Sequence, residues 1–217
     1  GLSERRIVNT VVEVRSGATP TRSEWREVLK PECSLAAAVV LDESGSMSSI
    51  VLHAARAGLA VASPLHNLGS PCMVVGTRYN TRYSSPDPSE ISDGYHRYNG
   101  VTVDLFKDWH EPMSVALPRF ARVRAEGGTP LEDGIQYAMQ EINTRNERYR
   151  IIFAVTDGYP NNPAVVKHQI RIAAEAGVYI VGVGLQGGAD AVGHLFPLNV
   201  RVTNLSQLPR QLMDVIT

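Results

Sequence analysis

The run Leu35-Ala36-Ala37-Ala38-Val39-Val40-Leu41 carries no polar side chain and ends directly on Asp42-Glu43-Ser44-Gly45-Ser46. A strand with one wet face alternates polar and apolar residues. An unbroken apolar run of this length instead asks for layers packed on both sides of a sheet. Another run of this kind follows at Ile151 to Val155, with a shorter one at Cys72 to Gly76, and Val178 to Val183 reads as a further strand. Helical stretches lie between them. The first runs from about Met47 to His66, with Ser49, His53, Arg56 and Ser63 on one narrow polar stripe, so most of its surface is expected to be buried.

The rest of the chain keeps the alternation. Val101 to Phe106 reads as a strand and Pro112 to Val123 as a helix. Leu131, Ile135, Ala138, Met139 and Ile142 recur at helical spacing behind Thr129-Pro130-Leu131-Glu132, which has the form of a capping box with proline at the first helical position. Asn162-Pro163 opens a helix that reaches Ala176 and stops at Gly177. Ala189 to Phe196 predicts a short helix, Val200 to Val202 a last strand, and Leu205 to Ile216 a closing helix. Buried strands alternating with helices predict an α/β fold, a doubly wound and mostly parallel sheet flanked by helices. The 217 residues are enough for one such domain at 34–217, behind an N-terminal extension at 1–33 read as a strand and a short helix. Residues 79–100, rich in Tyr, Ser, Pro, Asp and Gly without a clear period, read as an irregular insertion.

In sheets of this kind, ligands bind outside the carboxyl ends of the strands, where the strand order reverses. Three segments put side-chain oxygens at such positions: Asp42-Glu43-Ser44-Gly45-Ser46 after Leu41, Gly127-Gly128-Thr129 before an amphipathic helix, and Thr156-Asp157-Gly158 after Val155. Taken singly, each has an ordinary explanation. Ser44, Ser46 or Thr129 can cap a helix, and Asp-Gly is a common turn. Asp42, an acid ending a buried strand, is the hardest to explain that way. Together they supply Asp42, Ser44, Ser46, Thr129 and Asp157: two carboxylates and three hydroxyls, an all-oxygen set that suits Mg²⁺, with Mn²⁺ or Ca²⁺ as alternatives, and does not suit zinc or copper. Neutral hydroxyls leave a cation under-neutralised, so it keeps an affinity for one further carboxylate from outside.

The Asp-x-Ser-x-Ser run, the threonine after Gly-Gly and the later Thr-Asp-Gly together resemble the metal-ion-dependent adhesion site of von Willebrand factor A (vWA) domains, over Leu35 to Ile216. The resemblance implies a Rossmann-like vWA fold. It makes Ser44, Ser46 and Thr129 direct or near-direct ligands, with Asp42 and Asp157 acting through water. Val40 to Met47, Phe106 to Pro112 and His194 through Pro209 are similar to the intracellular bacterial branch typified by the cobaltochelatase subunit CobT and by NorD. That likeness implies a non-enzymatic adaptor between an AAA+ ATPase of the CobS, NorQ or MoxR kind and a client, such as a metal chelatase or a metalloenzyme awaiting its cofactor. An Asp or Glu of the partner would complete the metal shell.

Other readings are weaker. A Mg²⁺-dependent phosphate-ester hydrolase with Asp42 as nucleophile normally wants a second acid two residues on, and position 44 is serine. Gly182-Val183-Gly184-Leu185-Gln186-Gly187 fits G-x-G-x-x-G, but the region roughly 20 residues further on lacks the acid a dinucleotide site needs. There is no P-loop and no nucleophile elbow. The six histidines, His53, His96, His110 and His168 among them, show no ligand spacing. Lys+Arg 21 against Asp+Glu 22 gives no basic excess for nucleic acid. No apolar run reaches the roughly 20 residues of a membrane span. Cys33 and Cys72 make no disulfide framework, which points to a reducing, cytoplasmic setting, with Cys72 read as a core residue. The initial Gly without Met suggests a piece of a longer chain.

Overall fold

The computed structural model describes residues 34–80 and 100–202, with Leu208 and Gln211, all within one compact unit spanning Ser34–Thr217. The expected extension at 1–33 and most of the expected insertion and closing helix lie outside the described residues; Leu208 and Gln211 are themselves helical. The elements are β1 (Leu35–Asp42), a 3₁₀ turn (Gly45–Ser49), α1 (Val51–Asn67), β2 (Cys72–Asn80), β3 (Gly100–Lys107), α2 (Met113–Phe120) and α3 (Leu131–Ile142). Then come β4 (Tyr149–Thr156), α4 (Pro163–Glu175), β5 (Val178–Leu185), a 3₁₀ turn (Gln186–Gly188), α5 (Ala189–Leu195) and β6 (Leu198–Val202).

The strands form one sheet in the order β3-β2-β1-β4-β5-β6, parallel throughout except for β3, which runs antiparallel at one edge. The doubly wound α/β expectation holds. The apolar run of β1 explains the layering. Ala37, Val39 and Leu41 face one core with Ala54, Ala57 and Val61 of α1, Ala116 and Phe120 of α2, and Leu208. Ala36, Ala38 and Val40 face the other, with Leu131, Ile135 and Ile142 of α3, Val166 and Ala173 of α4, and Val192 and Leu195 of α5. Both faces of β1 are covered, so no residue of the run is polar.

Several boundaries differ from the sequence reading, each for a physical reason. The first helix begins only at Val51, because the backbone after Ser44 takes a 3₁₀ turn that carries Met47 into the core. β2 continues past Gly76 through Tyr79 and Asn80, which pair with Val101 and Gly100 of β3, so Tyr79, Asn80 and Gly100 are strand residues and not loop. α2 stops at Phe120, and Arg122 and Val123 lie beyond it. The capping box at Thr129 does not form. Pro130, at φ −81 and ψ 53, occupies the N-cap position of α3, and no side chain caps that helix. Asn162 does cap α4, its Oδ1 accepting from the Val165 amide at 3.3 Å. The glycines Gly182 and Gly184 belong to β5. A Cβ on Gly182 would lie 2.5 Å from the Phe196 ring, so packing accounts for it without a nucleotide.

Candidate metal centre

β1 and β4 are the neighbours at which the strand order reverses: the chain leaves β1 towards β2 and β3, then returns to β4 on the other side. Asp42 ends β1, Thr156 ends β4, and Asp157 follows it. The two segments meet across this switch point. Asp42 is 1% exposed, and both its oxygens are occupied: Oδ1 accepts the Ser44 amide at 2.8 Å and Oδ2 accepts the Thr156 hydroxyl at 2.6 Å. Burial pushes its carboxyl above the ordinary aspartate range, against the lowering effect of the Thr156 and Ser44 hydrogen bonds, while the nearby Asp157 charge adds to the rise.

From this buried anchor a chain of oxygens leads outward. The Ser44 and Ser46 hydroxyls stand 2.9 Å apart, and the Ser46 hydroxyl donates to Asp157 Oδ1 at 2.9 Å. Ser44 is buried, Asp157 is half-buried and Ser46 is exposed. Ser44 stands at the N-cap of the 3₁₀ turn but makes no side-chain cap bond. Thr129 arrives through backbone bonds. The Gly45 amide donates to Gly127 O at 2.8 Å, the Thr129 amide to Asn161 Oδ1 at 3.4 Å, and the Asn161 amide to Thr129 O at 3.1 Å. Gly127 takes φ +72, which a side chain would strain, and this lets its carbonyl reach the serine loop. The structure thus brings Asp42, Ser44, Ser46 and Asp157 into one hydrogen-bonded chain. The Thr129 loop is tied to both flanking segments by hydrogen bonds at its backbone.

Three residues that carry this site escaped assignment from sequence. Thr156 was visible in Thr-Asp-Gly, but its grip on Asp42 depends on two strands becoming neighbours. Asn161 gave no signal, standing just before the Asn162-Pro163 helix start. Glu43 is fully buried. Its Oε1 accepts the Arg124 amide at 3.0 Å, its carbonyl accepts the Glu126 amide at 2.7 Å, and Arg78 Nη1 lies 3.4 Å from Oε2. Burial chiefly holds its carboxyl up at about 7, with the Arg124 amide pulling down and Asp104 pushing up. An acid after Asp42 gave no sign of this, because its partners come from β2 and the loop after α2.

The donor set fits a small hard cation. Adjacent oxygens of an octahedral shell with metal–oxygen distances of roughly 2.0–2.1 Å stand about 2.9 Å apart. The Ser44–Ser46 separation has that value, which is also the length of the hydrogen bond the two hydroxyls share. Among the described residues, no group of three or more His, Cys, Asp and Glu side chains is placed to hold a metal ion.

No protein-family model matches the chain, and no curated protein matches it by sequence. Solved structures do. A von Willebrand factor type A structure from Catenulispora acidiphila is 17% identical with a TM-score of 0.55, the match covering 83% of this chain and 42% of that one. The fold is that of a von Willebrand factor A domain. Other structures with this fold include the mussel byssus proximal thread matrix protein 1 with a zinc-occupied adhesion-site motif. It is 17% identical with a TM-score of 0.57, covering 84% of this chain and 44% of that one. Manganese-loaded TRAP protein of Plasmodium vivax is 12% identical with a TM-score of 0.55, covering 85% and 75%. The chain spans less than half the length of the mussel and Catenulispora structures it matches. Among the described residues, no helix of this vWA fold is long and apolar enough to cross a membrane.

Proposed function

We propose that this vWA-fold domain is a metal-dependent protein-interaction module without catalytic activity of its own. Ser44, Ser46 and Thr129 would hold the cation directly, and Asp42 and Asp157 through water. Mg²⁺ is the preferred ion, with Mn²⁺ or Ca²⁺ able to replace it, and when bound it supplies an electrophilic point to which an Asp or Glu of a partner coordinates. The observation that carries this reading is the graded chain from buried Asp42 to exposed Ser46, with oxygens spaced 2.9 Å apart. The protein's residues divide the work. Thr156 and the Ser44 amide fix Asp42, which in turn sets the serine loop, while Ser46 and Asp157 present their oxygens to solvent. The zinc and manganese in the neighbours' adhesion motif or structure are consistent with a divalent ion here, and the zinc runs against the expectation that such a donor set disfavours it.

The sequence likeness to CobT and NorD supports a narrower role, an adaptor in a cytoplasmic complex. It would couple an AAA+ ATPase of the CobS, NorQ or MoxR kind to a client, such as a metal chelatase or a metalloenzyme. The hydrolase alternative has little to act with. A nucleophilic Asp42 would need an oxygen free to reach a phosphorus atom, whereas both are hydrogen-bonded and the side chain is buried. The test is retention of lysate proteins on the immobilised chain in Mg²⁺ with ATP, in EDTA, and with Asp42→Ala. An ATPase or an acidic client retained only by the wild type in Mg²⁺ is the expected result. Retention indifferent to both metal and mutation would overturn the reading.

A further inference from the structure

Against β3 lies a small cavity of about 160 Å³ lined by Asp104, Leu105, Phe106, Arg119, Arg122 and Arg124. Three guanidinium groups around so small a space raise the question of which are already neutralised. Arg119 is paired with Glu111. Asp104 is taken by Arg78, which also lies 3.4 Å from Glu43 and 3.8 Å from Glu126. Arg122 and Arg124 remain. Both are exposed, and among the described residues neither guanidinium has a carboxylate within ion-pair distance. The cavity lining therefore combines Asp104 and Arg119, already paired, with Arg122 and Arg124, which have no carboxylate partner among the described residues. A cavity of that volume has room for an anionic group. Guanidinium prefers such groups because its parallel N–H donors match the two oxygens of a carboxylate.

The cavity is also joined to the candidate metal centre through the backbone. The Arg124 amide donates to Glu43 Oε1, and the Glu126 amide to the Glu43 carbonyl. Glu43 lies between Asp42 and Ser44, and the same loop continues through Gly127, which bonds Gly45, to Thr129. A ligand drawing on Arg122 and Arg124 would thus sit on the loop that delivers one metal-ligand candidate and braces the others.

We infer that Arg122 and Arg124, with Arg119, form a second anchoring pocket for an acidic segment of the protein partner, taking one of its carboxylates while another reaches the cation. This deepens the proposed function and rests on it for the second contact. Two carboxylates on one segment would bind better than either alone, since the second contact is made at high effective concentration. A single Asp or Glu on a partner would be a poor match, and a run of acids a good one.

The probe is a short capped peptide of alternating Asp and Glu, titrated into the intact chain in Mg²⁺ and in EDTA. Wild type is compared with Arg122→Gln/Arg124→Gln and with Ser46→Ala. The arginine replacements change exposed side chains that make no ion pair among the described residues, and an unchanged melting temperature will show that the fold does not need them. Expected is about a five- to tenfold loss of affinity in the arginine variant under both conditions, shrinking as salt rises. EDTA and Ser46→Ala should remove a separate increment that the arginine variant retains. Equal peptide affinity of the arginine variant and wild type in EDTA would overturn the pocket, even if Mg²⁺ still strengthened binding. Loss with the arginines and no response to Mg²⁺ or to Ser46→Ala would keep the pocket and overturn the metal reading. Inorganic phosphate bound more tightly than the peptide would overturn the assignment to an acidic segment.

Discussion

The two ends of the sheet each hold a buried ionisable side chain, and they treat it in opposite ways. At the switch point, Asp42 is satisfied by one amide and one hydroxyl, and from it a line of oxygens runs outward to exposed Ser46. At the far end, Lys107 terminates the antiparallel β3, is 0% exposed, and spends its ammonium on three backbone carbonyls. These are Cys72 at 2.8 Å, Asp108 at 2.9 Å and Trp109 at 3.3 Å. No donor of Lys107 remains for anything outside. The lysine closes a seam between the start of β2 and the loop after β3, whereas the aspartate holds one open. A buried charge is thus a poor marker of function by itself. What separates the two is whether its partners lead to solvent.

The comparison breaks first at Lys107. Replacement by Met keeps the stem's packing but takes the ammonium from three carbonyls, that of Trp109 keeping the Cys72 amide, and a loss of about 2–4 kcal/mol is expected by denaturant titration. The pH dependence carries a sign. Burial lowers the Lys107 pKa below the ordinary 10.5, while Cys72, Glu111 and Asp108 pull it back up. The unfolded chain therefore binds more protons between the folded value and 10.5, and this group's contribution to stability rises with pH across that window. Wild type should gain on Lys107→Met as the pH climbs towards 10.5. A gap that stays constant with pH would mean that burying the charge costs nothing.

At the open end, the corresponding weak point is Gly188. A Cβ there would stand 2.4 Å from the carbonyl carbon of Asp157 and 2.6 Å from its Cα, and backbone cannot swing aside as a long side chain can. Gly188→Ala is expected to cost about 2 kcal/mol and to displace Asp157 from Ser46, weakening metal binding as well. Stability lost with Mg²⁺ affinity intact would show that Asp157 does not contribute to the site.

Much of this layout was legible in the sequence, because β1, β4 and β5 are buried on both faces and so leave polar residues only at their ends. The ends then announced Asp42, Ser44, Ser46 and Asp157. What stayed hidden depends on neighbours distant in the chain. The Thr156–Asp42 bond needs β4 beside β1, and Glu43 finds Arg78 and Arg124 only after β2 and α2 have packed. The antiparallel run of β3 left no trace either, since one edge strand has the same residue pattern in both directions. Thr129 misled as a helix cap. Its Ser/Thr-x-x-Glu pattern is a local signal, and Pro130 at ψ 53 shifts the helix start by one residue and leaves that pattern unused.

The smallest expected change is also the most discriminating. Ser46 is exposed, and its hydroxyl joins two groups that are themselves held from elsewhere, Ser44 by the buried loop and Asp157 by β4. Without metal, Ser46→Ala should alter stability by less than about 0.5 kcal/mol, as for a surface substitution away from the core. A ligand that binds only the folded state at tenfold over its Kd stabilises by about 1.4 kcal/mol. Mg²⁺ at that excess should raise the melting temperature of wild type and leave Ser46→Ala unmoved. Equal shifts in both would mean that the outward chain of oxygens is an ordinary hydrogen-bonded turn, and the contrast with Lys107 would then be one of exposure alone. A shift confined to wild type would separate the two ends by purpose, because a residue irrelevant to folding would be the one on which binding depends.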